Sequence, residues 1–170
     1  MNFFRTSAIT CMAIFALGCN NDDTNECDQN FTGALQTEEQ DLVGEWRLTS
    51  ATAEDEIDLT DDGEENPTTD LFIQFEECQR DIAYNFESDR DFTYLIGYNN
   101  TECESSRDGI AGTWKYEAGV LSIRSGCSFG NMVITLNDSD TAFTISEVNR
   151  IRDVQNVVVE TTITYTYTRY

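Results

Sequence analysis

The segment Asp58-x-Thr60-x-Asp62-Gly63-Glu64-x-Asn66 sets oxygen-bearing side chains around a single glycine. That spacing follows a calcium loop through its first nine positions, where a hard cation gathers carboxylate, hydroxyl and amide oxygens from a sharply turning chain. Position twelve is Thr69, however, in place of the bidentate glutamate, and no helices are expected on either side. An acidic solvated loop is therefore the first reading. Weak calcium binding through Asp58, Thr60, Asp62 and Glu64 is the one cofactor reading left open. Other chemistries are removed by composition. None of the 170 residues is histidine, which excludes Ser-His-Asp and Cys-His nucleophilic sites, HExxH zinc sites and the commonest proton shuttle. The 32 acidic side chains leave carboxylate-pair hydrolysis formally available, yet no spacing singles out a pair, and no enzymatic activity is expected.

A formal charge of −22 repels phosphate backbones, so nucleic acid is not an expected partner. Anionic lipid headgroups repel such a chain as well. Contact with a membrane must then come from another source, and the N-terminus supplies one. Arg5 precedes the apolar run Ala8–Leu17, which Gly18-Cys19 closes. A positive start, a short apolar segment and a small residue at the cut describe an export signal, too short to span ~30 Å of hydrocarbon. The cysteine directly after Gly18 makes the segment resemble a bacterial lipoprotein signal, although Ala16 stands where such signals usually carry leucine. The resemblance implies that residues 1–18 are removed and that Cys19 is acylated, anchoring the protein to the membrane of the cell envelope. Asn20-Asn21-Asp22-Asp23 resembles the surface-export signal of some Gram-negative lipoproteins and reads equally as a plain solvated tether. The expected address is the outer membrane, with exposure at the cell surface as its further reading.

With Cys11 cleaved and Cys19 acylated, Cys27, Cys78, Cys103 and Cys127 remain. An even set in an oxidising compartment reads as up to two disulfides with three connectivities open. No CxxC pair and no histidine favour a metal site instead.

Residues 19–36 lack periodicity and read as a flexible acidic tether. Thr37-Glu38-Glu39-Gln40 has the form of a capping box with Thr37 as the cap, predicting one helical turn that stops at Gly44. Strand patterns follow. Trp46, Leu48, Ser50 and Thr52 fall on one face of a first strand, and Leu71, Ile73 and Phe75 on one face of another. Ile82–Phe86, Phe92–Tyr98, Trp114–Tyr116, Leu121–Ile123, Met132–Leu136 and Phe143–Ile145 alternate in turn. The clearest pattern is Val157, Val159, Thr161, Ile163, Tyr165 and Tyr167, a period-two run of β-branched and aromatic residues. Residues 37–170 thus read as one all-β domain of about eight strands, a single antiparallel up-and-down β-barrel or a sandwich. The long last strand favours the barrel, since an open edge of that length invites pairing with other chains.

Asp41-Leu-Val-Gly44-Glu-Trp46 resembles the opening of a lipocalin-like barrel. The acidic loop at Asp58–Gly63, Cys78-Gln-Arg-Asp81, Cys103 and Gly112-Thr-Trp114 extend the likeness to bacterial lipocalin-like lipoproteins. That resemblance implies a Cys78–Cys103 bridge, which leaves Cys27 and Cys127 for each other or free. A tryptophan after glycine at a strand start plugs the closed end of such a barrel beneath a cation. Closure would place Arg169 at Trp46, as structure and not as a binding site. The implied function is non-covalent binding of a small apolar ligand, with Tyr84, Phe86, Phe92, Tyr94, Tyr165 and Tyr167 as candidate cavity wall. The alternative is a filled barrel acting as a surface module that contacts protein or glycan. Oligomeric state is not legible.

Overall fold

The computed structural model describes residues 30–100, 103 and 109–170. The signal peptide, Cys19 and Cys27 lie outside the described residues. Among the described residues nine strands follow α1 (Thr37–Gln40): β1 (Gly44–Ile57), β2 (Thr68–Asp70), β3 (Ile82–Phe86), β4 (Asp91–Ile96), β5 (Gly109–Glu117), β6 (Val120–Ser125), β7 (Ser128–Leu136), β8 (Ala142–Arg152) and β9 (Val158–Arg169). A second helical turn, α2 (Glu77–Arg80), lies between β2 and β3. Each barrel strand pairs antiparallel with its neighbour in the order β1-β3-β4-β5-β6-β7-β8-β9, and β9 returns to β1. Eight strands therefore close an up-and-down barrel, and β2 is one extra strand on the far half of β1. Closure removes the long free edge that β9 would otherwise expose.

Along β9 the alternation holds: Thr161, Ile163 and Tyr167 are buried on one face. In β1 it breaks. Leu48 opposes Tyr167 and Ser50 opposes Thr166, leaving Thr49 unpaired as a bulge. The extra residue flips the face, so Ala51 and Ala53 point inward after Trp46 and Leu48. Ser50 and Thr52 do not share the inner face, contrary to the alternation expected from Trp46 onward. A second correction concerns Leu71–Phe75. These residues form a 3-10 turn over Phe72–Gln74 and no strand; Leu71 is fully buried and Ile73 is exposed. The expected capping box is shifted as well. The cap is Gln36, one residue before Thr37, and its backbone N–H donates to the Glu39 carboxylate. Tyr98 lies beyond the end of β4.

Two apolar clusters fill the molecule. One joins Leu42, Trp46, Phe86, Phe92, Trp114, Leu121, Phe143 and Tyr167 within the barrel. The other joins Ala51, Ala53, Ile57, Leu71 and Ile163, where the long strands β1 and β9 run on and residues 71–75 cover them. From Phe31 onward the expected tether is docked on the barrel: the Phe31 N–H donates to Thr113 Oγ1 at 3.0 Å.

Candidate functional site: an open and a closed barrel end

The two ends of the barrel differ in what fills them. At the closed end, Gly44 has a φ of +133°, a conformation that favours glycine and turns the chain from α1 into β1. Two residues on, Trp46 is fully buried and its Nε1–H donates to the Leu42 carbonyl at 2.7 Å. Arg169 opposes Trp46 in the β1–β9 register, with its guanidinium carbon 4.7 Å from the indole centroid. Its NH2 donates to the Asp41 carbonyl. The expected structural pair is present. The second glycine-tryptophan element has another cause. A Cβ at Gly112 would lie 1.7 Å from the Arg124 carbonyl oxygen, so only glycine permits that approach of β5 to β6. Trp114 packs on Phe86 at 5.1 Å and donates to the Glu87 carbonyl at 3.1 Å.

Beneath these rings lies a buried ion pair that the sequence reading missed. Arg90 spends every N–H it has. Its NH1 donates to Glu39 Oε1 at 2.7 Å and to the Trp114 carbonyl, its NH2 to Glu39 Oε2 at 2.8 Å and to the Ala34 carbonyl, and its Nε–H to the Gly33 carbonyl. Burial alone raises the Glu39 carboxyl, but Arg90 and the N–H groups of Gln36 and Tyr116 outweigh it and hold the group below its ordinary range. One fork thus joins the N-terminal segment, α1, the β3–β4 turn and β5. The 51-residue separation of the pair leaves no local signal, and a charged residue ordinarily reads as surface.

The opposite end is hollow. A cavity of about 360 Å³ is bounded by Tyr84, Tyr94, Tyr165 and Tyr167, with Ile145 and Met132 among its apolar walls and Glu147 on its lining. Tyr84 sits 4.7 Å from Tyr94 and 5.1 Å from Tyr167, ring to ring. Among the described residues the Tyr84 hydroxyl meets only the Met132 sulfur, at 3.8 Å. Burial pushes the Tyr84, Tyr94, Tyr165 and Tyr167 phenols up, so they remain neutral donors. Four of the six expected wall residues therefore line the cavity. Phe86 and Phe92 do not; both are packed into the solid core toward Trp114. Alternation places a side chain inside the barrel without saying at what depth, and these two lie nearer the closed end.

The rim of the cavity is stapled. Cys78 and Cys103 are bridged with Cα atoms 5.7 Å apart. The pair joins α2 to the segment after β4. Gly97 makes room for it, since a Cβ there would fall 2.5 Å from the Cys103 Cβ. Asp81 fixes the same segment: its carboxylate accepts the N–H groups of Asn99 and Asn100, and its carbonyl those of Gly97 and Tyr98. These bonds, with the side-chain amide of Asn99 and nearby Arg47, outweigh desolvation and lower the Asp81 carboxyl. Cys127 is also disulfide-bonded, while Cys27 is outside the described residues.

In the acidic loop the oxygens are drawn together by the loop's own donors. Asp58 Oδ1 accepts from the N–H and hydroxyl of Thr60, and Asp58 Oδ2 from the Asn66 N–H. Asp62 accepts from Glu64 N–H and Asn66 Nδ2, contacts that lower its carboxyl. Among the described residues no three His, Cys, Asp or Glu side chains converge as a metal group.

Comparison with curated proteins gives no match. Residues 20–169 match the family described as Domain of unknown function (DUF5004). A closed antiparallel barrel with eight strands fits the lipocalin-like fold, and with residues 20–169 inside the match the chain belongs to the DUF5004 family.

Proposed function

We propose that this protein is a lipid-anchored binding protein of the bacterial outer membrane whose barrel holds a small apolar molecule non-covalently. The observation that carries the reading is the 360 Å³ cavity at the open end, walled by tyrosines and aliphatic side chains while the closed end is packed solid. An eight-stranded barrel has an interior just wide enough for one such ligand. The absence of histidine and the protonated phenols of the wall support binding over catalysis. For the anchor, the support is the Gly18-Cys19 boundary, with the family match beginning one residue later at Asn20.

Native mass spectrometry of protein taken from its own membranes tests the binding reading. A reproducible extra mass, released on denaturation, is expected. Bare protein that also rejects neutral apolar probes contradicts it and favours a surface module. The anchor is tested separately with Cys19→Ser, which should fold but leave the membrane fraction; a variant that still pellets with membranes removes the lipoprotein reading.

A further inference from the structure

One side chain on the cavity wall does not suit a purely apolar ligand. On β8, Phe143 and Ile145 are buried on the inner face, and Glu147, the next residue on that face, is exposed where it lines the mouth of the cavity. Val148, which could have filled the position after a one-residue slip, instead faces out and is 70% exposed. The register holds Glu147 opposite Ile163 and Ile145 opposite Tyr165, so the carboxylate belongs to the wall by pairing and not by a flexible turn. No hydrogen bond or ion pair engages that carboxylate among the described residues. Facing it are neutral phenol rings and the Met132 thioether, with no cationic side chain on the cavity lining.

We infer that the cavity selects a small organic cation, an ammonium group on an apolar body, with Glu147 as counter-ion and the rings of Tyr84, Tyr94, Tyr165 and Tyr167 as the surrounding aromatic wall. This inference rests on the binding reading above and narrows it. An ammonium is attracted by a carboxylate at the cavity mouth and by the negative faces of the aromatic rings beside it. The polarizable Met132 sulfur tolerates an alkylated cation without demanding a donor. A neutral apolar molecule gains nothing from the Glu147 carboxylate at the mouth, and an anion would be repelled by it.

The test uses the full-length chain and three probes of similar shape: benzyltrimethylammonium, its uncharged carbon isostere neopentylbenzene, and 4-phenylbutanoate. Calorimetric titration should show the cation binding roughly tenfold or more tighter than the isostere, and the anion weakest. Glu147→Gln should bring cation and isostere close to parity, whereas Glu54→Gln, an exposed carboxylate on β1, should leave the preference intact. That second variant separates Glu147 from the general pull of an acidic protein. If the isostere binds as well as the cation, or Glu147→Gln leaves the preference unchanged, the inference falls while apolar binding stands. If none of the three probes binds, the binding reading falls with it.

Discussion

The closed and open ends of this barrel are built from the same strands and the same kinds of ring, yet one is solid and the other hollow. At the closed end the large polar groups are matched but for one atom, Arg169 Nε, which is buried without a partner among the described residues. Trp46 and Trp114 each donate to a backbone carbonyl, and Arg90 places all its donors, two of them on Glu39. At the open end the polar groups are left over: the hydroxyls of Tyr94, Tyr165 and Tyr167 and the Glu147 carboxylate have no partner among the described residues. Glu147 is exposed and Tyr94 and Tyr165 are half-buried, so these groups meet solvent and remain open to an entering molecule, whereas the matched groups make a stable plug. The difference teaches where stability and function are separated along one fold.

The largest effect should come from removing what both ends share. Truncation after Ile163 deletes the pairing of Trp46, Arg47, Leu48 and Ala51 with β9 and bares two long strand edges. Aggregation or failure to fold is expected in expression and circular dichroism; a soluble, cooperatively unfolding product would contradict barrel closure. Next comes a change confined to the plug. Glu39→Gln leaves Arg90 buried opposite a neutral group, and loss of one partner of such a pair costs on the order of 3–5 kcal/mol. Denaturant unfolding measures it. Because the folded Glu39 carboxyl lies below its ordinary value of 4.5, its contribution is present above that pH and fades as pH falls. Wild type should therefore lose stability on acidification more steeply than Glu39→Gln.

At the open rim, replacing Cys78 and Cys103 with serine opens a loop of sequence separation 25, at a cost of about 3–4 kcal/mol on the entropy model. Unlike the Glu39 change it should also weaken ligand binding, because Gln79 on α2 lines the cavity beside Cys78. The smallest effect is Arg169→Ala, about 1 kcal/mol from lost contact with the Trp46 indole, with binding unchanged. A loss of ligand affinity in that variant would show that the two ends are not independent.

How far the sequence discloses this division depends on the kind of signal. Period-two runs reveal inner faces, so the barrel, its closure through β9 and the Trp46–Arg169 contact were legible. The Thr49 bulge was not, because Thr49-Ser50-Ala51-Thr52 is small and polar throughout and offers no contrast between faces. Leu71–Phe75 alternates like a strand but folds as a cap over the second apolar cluster, a choice set by tertiary contact. Depth along the barrel axis leaves no trace in alternation, which is why Phe86 and Phe92 resembled Tyr84 and Tyr94. Glu39, Arg90 and Glu147 were hidden among 42 charged residues, most of them ordinary surface.

The central claim is that the open end is hollow and receptive while the closed end is not, and one titration addresses it most directly. Nile red, a neutral dye that brightens in apolar surroundings, is titrated into wild type, Met132→Trp at the cavity wall and Arg169→Ala at the plug. The account predicts one saturable site per chain, lost when the tryptophan fills the cavity and kept when the plug contact is trimmed. Absence of a saturable site in wild type, or uptake that survives Met132→Trp, would contradict it.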